Sequence, residues 1–279
     1  MLSLIERNEL ISSDKFLFHT FTCSDCVYLK SDFFFRKGEW RGEIQLPLYM
    51  RRDFKGKNLI VGHSDISVGW SQRTLARYLG AKTLWGVNTE PRKTLASSLP
   101  LGVTNDSSET KLHKLFGDAS HLAAADSTPF RHDFDGSIYA NFNVETNRAV
   151  RGPLLEQLRL QGANVEMPEL SPRGRIQYLR NLRSHSLVPC PEGNGVDTHR
   201  LWETLYMGGT PVVISNKIVN SLINDLPVIV LENWEQLKDY RLMQELWMNL
   251  NSRSYSFAEL SVTHWIKQIC LNARMENGE

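Results

Sequence analysis

The chain predicts an α/β protein with largely parallel sheets. Three features carry that expectation. Short apolar runs alternate with helix-like stretches along the whole sequence. The pattern breaks at a polar segment, 126–136, and then starts afresh. Within the second half, a glycine-rich loop feeds directly into a helix signal and a β-branched run, the arrangement of a strand, a turn and a helix in a ligand-binding sheet.

Taken in order, strands are expected at 15–19, 59–62 and 82–87, with others near 102–103 and 121–124. Residues 71–79 read as a helix, with Leu75, Ala76 and Leu79 on one face and Arg73 and Arg77 on another. A short helix is expected at 110–116. The segment 126–136, with Pro129 and Gly136, marks a change of unit. After it come a strand at 137–142, a helix at 147–160, a strand at 164–167, a helix at 174–183 and a strand at 186–189. Beyond the glycine loop and its helix lie a strand at 212–215, a turn or short helix at 217–224 and a strand at 228–231. Helices at 235–249 and 257–273 close the chain. This count fits two Rossmann-like domains, 1–135 and 136–256, followed by a terminal segment, 257–279. One continuous doubly wound sheet is the alternative that periodicity leaves open.

A chain of 279 residues with 41% hydrophobic and 23% charged content is ordinary for a globular protein. A formal net charge of +1 and the absence of basic runs argue against nucleic acid as a partner. The opening residues turn charged after five positions, unlike a secretory signal, and no apolar run reaches the length of a membrane span. A cytoplasmic location is expected, with peripheral membrane contact allowed if an acceptor is lipid-linked. Four cysteines do not make a disulfide scaffold in a chain this long. Cys23 and Cys26 form a lone CxxC. That is half of a tetrahedral zinc site, and His19 alone does not complete it. The β-favouring Val27-Tyr-Leu29 that follows points to a strand rather than a redox helix, so two small packing residues are expected there.

Residues 189–214 carry the most information. Gly193 and Gly195 allow close backbone approach to a ligand. Asp197 or Thr198 caps a helix running to about Met207, which Gly208, Gly209 and Pro211 end, and Val212-Val-Ile214 is a buried strand. A glycine-rich loop at a helix N-terminus presents unpaired N–H groups and a positive dipole end to a phosphate. Glu203 lies six residues past Asp197, placed to accept from ribose hydroxyls.

The residues Cys190, Pro191, Gly193, Gly195, Asp197, Thr198, Arg200, Glu203, Leu205, Gly208, Pro211, Val212 and Val213 together resemble the donor-binding segment of exostosin-like GT-B glycosyltransferases. A looser similarity runs through 84–90, 99–103 and 139–143. The resemblance implies two Rossmann-like domains with a cleft between them and a C-terminal helix returning to the first domain. It also implies inverting, metal-independent sugar transfer from a nucleotide-sugar, UDP-linked by preference or GDP-linked, to a glycan or other hydroxyl acceptor. The donor site would then comprise Arg151, Gly193, Asn194, Gly195, Asp197, Thr198, His199, Arg200 and Glu203. No cofactor is expected. Members of that family usually carry a membrane anchor, from which this sequence departs.

An inverting transfer needs a general base. Asp65 ranks first, then Glu90, with His63 a third candidate; all follow expected strand ends of the first half. Arg148 and Arg151 sit in the first turn of a helix, where cations oppose the helix dipole, and this favours a ligand-related reason for them. Asp133-Phe-Asp135 has DxD spacing but lies in the expected linker. A catalytically inactive nucleotide-sugar-binding or assembly subunit of the same fold is the alternative function. An epimerase or dehydrogenase is disfavoured because Gly62-His-Ser-Asp65 replaces the dinucleotide fingerprint.

Overall fold

Two parallel sheets face a shared apolar layer. The computed structural model describes residues 9–20, 22–30, 53–62, 68–92, 96–104, 119–126, 133–169 and 171–275. The first sheet runs β1 (Cys26–Lys30), β2 (Asn58–Gly62), β3 (Thr83–Val87), β4 (Ala96–Leu99) in that spatial order, every pairing parallel. In the second, β5 (Tyr139–Ala140) pairs with β6 (Asn164–Val165), and β7 (Val188–Pro189) with β8 (Pro211–Ile214) and β9 (Ile229–Leu231). A parallel bridge, Ile138 to Leu187, joins these two pieces into one surface.

The period of two along each strand decides which layer a residue enters. Leu59, Val61 and Leu84 pack on the outer face of the first sheet, while Ile60, Trp85 and Val87 point to the central layer. Ala140, Leu187 and Val212 pack outward from the second sheet; Tyr139, Val188 and Val213 point to the centre. Helices α1 (Ser13–Thr20), α3 (Ala119–Ala125), α5 (Pro172–Ser184), α6 (His199–Met207) and α9 (Val262–Met275) contribute Phe16, Leu122, Leu182, Trp202 and Ile269 to that same central layer. The other α-helices among the described residues are α2 (Trp70–Leu79), α4 (Arg148–Leu160), α7 (Lys217–Leu222) and α8 (Tyr240–Asn251). No helix among the described residues is long and apolar enough to cross a membrane.

Three expected strands are corrected. Residues 15–19 lie inside α1, where Asp14 occupies the first turn and Lys15 N–H donates to the Ser12 carbonyl. This helix-start signal outweighs the β preference of two phenylalanines. Residues 121–124 lie inside α3, whose alanines are the best helix formers, with Leu122 and Ala125 buried one turn apart. The strand expected near 102–103 is instead Ala96–Leu99, because Gly102 adopts φ 68°. A Cβ at that position would meet the Ile11 carbonyl. The helix expected at 110–116 lies outside the described residues.

Helix α9 returns to the start of the chain. Leu10 forms an antiparallel bridge with Ser261, and the Glu9 carboxylate accepts from Thr263 Oγ1 at 2.9 Å and from Ser261 Oγ. Tyr206 ties the last turn of α6 to both segments: its hydroxyl donates to the Leu260 carbonyl (2.7 Å) and accepts from Ile11 N–H (2.9 Å).

Candidate functional site

The segment after β7 forms a loop and then α6. Thr198 is the N-cap with extended backbone (φ −130°, ψ 147°), and its side chain makes no capping bond. Gly208, at φ 74°, ends the helix in the left-handed conformation. Leu201 N–H turns back onto the Thr198 carbonyl at 3.1 Å, which leaves the amides of His199 and Arg200 without intrahelical partners at a helix start that lines a cavity of about 470 Å³. That cavity is lined by all nine residues picked from the sequence as donor-binding: Arg151, Gly193, Asn194, Gly195, Asp197, Thr198, His199, Arg200 and Glu203.

Inside the cavity three guanidinium groups surround two aromatic rings. Arg200 Cζ lies 5.6 Å from the Phe142 ring centre and 5.1 Å from that of Tyr178. Arg151 stacks on Phe142 from 5.6 Å and Arg175 on Tyr178 from 4.4 Å. Only Arg175 is neutralised, by a buried ion pair with Glu203. Tyr178 also donates its hydroxyl to that carboxylate at 2.9 Å.

Arg151 is spent on the loop. It donates to the carbonyls of Glu192 (3.0 Å), Pro191 (3.1 Å) and Asn143 (2.9 Å), and to Thr146 Oγ1 (2.6 Å). Burial, and then the nearby Arg200 charge, push its pKa down to about 10. Arg200 differs. Its Nη1 is buried with no hydrogen-bond partner. A buried cationic donor left unpaired beside a second cation is costly unless an anion completes the site.

Several of the residues picked from the sequence have protein partners. Gly193 and Gly195 accommodate protein side chains: a Cβ on Gly193 would lie 2.8 Å from Arg151 Nη2, and one on Gly195 would meet the Asn88 carboxamide. Asp197 is buried with both oxygens engaged, accepting from Leu101 N–H (2.7 Å) and Trp202 Nε1 (2.8 Å). It thus latches the loop onto the end of the first sheet. Glu203 faces the cavity, but its oxygens hold Arg175 and Tyr178. Glu90 lies off the cavity wall, bonded to Lys217 (3.1 Å) and Arg92 (3.2 Å). The hydrogen bond from Lys217 foremost lowers its pKa, which makes it a weaker base. His63 and Asp65 lie outside the described residues. Asp135 of the DxD pair accepts from Ser186 Oγ (2.7 Å) and Ser137 N–H (2.8 Å), as a turn residue does.

His199 gains a sharper chemistry. Its Nδ1 lies 2.7 Å from the Gly102 carbonyl, which can only accept, so Nδ1 carries the proton. In the neutral ring Nε2 then holds a lone pair. The cavity's two carboxylates are engaged by hydrogen bonds and an ion pair, so His199 is the lining group among the described residues with a proton-accepting atom to spare.

Sequence reasoning missed Arg175, Tyr178, Phe142 and Asn88. Arg175 and Tyr178 share the buried stripe of α5 with Leu179 and Leu182, and an arginine on an apolar stripe was the available signal. Asn88 follows β3 at φ 52°, and its Oδ1 accepts from Asp197 N–H at 2.8 Å. Nothing local announces that contact.

Next to the arginine cavity, and sharing Thr198 with it, a second cavity of about 320 Å³ opens at the carboxyl ends of β7 to β9. Val213, Ile214, Leu201 and Trp234 give it apolar walls, with Asn216 and Glu232 at its edge.

Burial raises the Asp197 pKa to about 7, although the Leu101, Trp202 and Thr198 donors pull the other way. The unfolded chain ionises this group near ~3.9. Between those values the fold binds the extra proton, so this contribution to stability is full below about pH 4 and declines towards about pH 7. Urea midpoints of wild type and Asp197→Asn across that window should differ in slope, with the variant flatter. Parallel profiles would show that Asp197 is ionised throughout.

No family model matches the chain, and neither does any curated protein. Among solved structures it is similar to a spinosyn rhamnosyltransferase complexed with thymidine diphosphate, at 10% identity and a TM-score of 0.39. That alignment covers 94% of this chain and 73% of the other.

Proposed function

We propose that the protein is a nucleotide-sugar glycosyltransferase of the exostosin-like GT-B type, built as two domains, 1–135 and 136–256, with its donor held at the α6 loop. The observation that carries this reading is the buried, unpartnered Arg200 Nη1 near the Arg151 charge, in the first turn of α6. That combination suits a diphosphate. The apolar cavity at the strand ends suits the nucleoside, UDP-linked by preference or GDP-linked. Glu203 keeps Arg175 and Tyr178 in place against the donor sugar. The acceptor is a glycan or other hydroxyl compound.

In the proposed reaction the acceptor oxygen bonds to the anomeric carbon as the bond from that carbon to the phosphate oxygen breaks. The acceptor proton passes to His199 Nε2. The nucleoside diphosphate leaves with the bonding electrons, and Arg200 and the helix terminus stabilise its new charge, with no metal required.

A thermal-shift screen against UDP, GDP, CMP and TDP tests the donor site. A nucleotide at about 100 times its dissociation constant should stabilise the fold by about 2.7 kcal/mol. His199→Asn retains a donor where Nδ1 stood and deletes Nε2. It should bind nucleotide normally while turnover falls ~10²- to 10⁴-fold. A response to no nucleotide removes this reading. Binding without transfer to any acceptor moves the weight to a nucleotide-sugar-binding subunit.

A further inference from the structure

The fold gathers chemistry that lies far apart in sequence, at a place well away from both cavities. Cys23 and Cys26 flank a tight turn, closed by Cys26 N–H donating to the Cys23 carbonyl at 3.2 Å, which brings their sulfurs to 3.0 Å. His19, from the end of α1, joins them: the ligand atoms of all three lie within 4.8 Å of one another. Cys270 then arrives from α9, 251 positions along the chain, with its Sγ 4.0 Å from His19 Nε2. None of the four cysteines forms a disulfide, and three of them converge here.

We propose that His19, Cys23, Cys26 and Cys270 form a structural zinc site that fastens α9 to α1 and β1. Zinc–sulfur and zinc–nitrogen bonds set donor atoms roughly 3.6–3.8 Å apart at the corners of a tetrahedron, a spacing that lies between the 3.0 Å of the Cys23–Cys26 pair and the 4.0 Å from His19 to Cys270. Three thiolates and an imidazole are a soft set that selects zinc over magnesium or calcium. Four protein ligands leave no open position, as in sites that hold a fold together rather than react. The surroundings are built to match. Asn58, buried and in register with Cys26 across β1 and β2, has its Oδ1 accepting from Thr83 Oγ1 at 2.7 Å, which orients the carboxamide with its N–H₂ group as a donor. At the other end of α9, Glu9 binds Ser261 and Thr263. The metal would secure the opposite end of the same two-segment junction, for which the apolar layer provides Phe16 and Ile269.

The test uses the full chain, expressed in zinc-supplied medium and purified with reductant and without chelator. Elemental analysis should find about one zinc per chain, and Co²⁺ replacement should give thiolate-to-metal charge-transfer absorption of a tetrahedral centre. Cys270→Ser should lower that band by about a third, in keeping with two thiolates instead of three. Cys190→Ala should leave it unchanged. Differential alkylation followed by peptide mapping reads the wild-type protein alone, so it stands even if a variant misfolds. Zinc should shield Cys23, Cys26 and Cys270, and chelation should expose all three. Failure to take up zinc or cobalt overturns the proposal, as does a Cys23–Cys26 disulfide in the metal-supplied protein. An unchanged cobalt band in Cys270→Ser overturns it too.

Discussion

Glu203→Ala destabilises the protein by about 3–5 kcal/mol, because it strands the Arg175 guanidinium in the interior with Tyr178 unpaired beside it. The two partners are 3% and 10% exposed at their side chains, so the pair is largely desolvated and loss of the carboxylate leaves a charge without its counter-ion. Urea unfolding measures the effect. The double variant Glu203→Leu with Arg175→Met should recover most of it, since removing both charges removes the desolvation penalty with them. A single variant within about 0.5 kcal/mol of wild type would mean that the pair is not formed in solution. The same result bears on function. A loss of nucleotide binding in Glu203→Ala is ambiguous unless stability is measured alongside, and the double variant separates the two: it folds but lacks the ordered Arg175 and Tyr178.

Arg200→Ala should behave in the opposite way. Nucleoside diphosphate affinity and kcat/KM should fall by ~10²- to 10³-fold, about 2.7–4 kcal/mol of lost electrostatic stabilisation. Stability should hold or rise, because the change removes a buried unpaired donor and relieves the charge that depresses Arg151. Arg200→Lys should rescue little, since a point charge replaces a planar fork. Calorimetric titration with the responding nucleotide, beside a melting curve, reads both halves. Destabilisation with affinity intact would assign Arg200 to packing against Phe142 and Tyr178 instead of to a ligand.

The contrast between these residues shows how far the α6 region was legible. Its loop, an N-cap at Asp197 or Thr198, its stop at Gly208 and the strand beyond were all readable, since caps, glycines and β-branched runs act within a few positions, and the structure selects Thr198. Which polar residues face a ligand was less legible. Asp197, Glu203 and Arg200 belong to one short motif, yet two are held by protein partners and one retains an unpartnered nitrogen. The glycines were recognised as sites of close approach, but what approaches Gly195 is Asn88, from the other sheet. Misread strands had a local cause: aromatic content at 15–19 pulled against a helix-start signal, and in a short segment the two are nearly balanced.

By itself the sequence determined the alternating architecture, the β-branched strands, the ends of α6 and the glycine-rich turn, all of them outcomes of local sterics and hydrophobic period. It started the last two helices at 235 and 257, where separate 3-10 turns precede α8 and α9. Tertiary structure alone decided the partners. Arg175 meets Glu203 because α5 and α6 pack side by side; Asn88 reaches the loop because two sheets share one apolar layer. Cys270 joins Cys23 and Cys26 because α9 folds back on α1. Contacts of this kind arise when apolar layers bury against each other, and that stacking brings together residues whose separation along the chain carries no periodic signal.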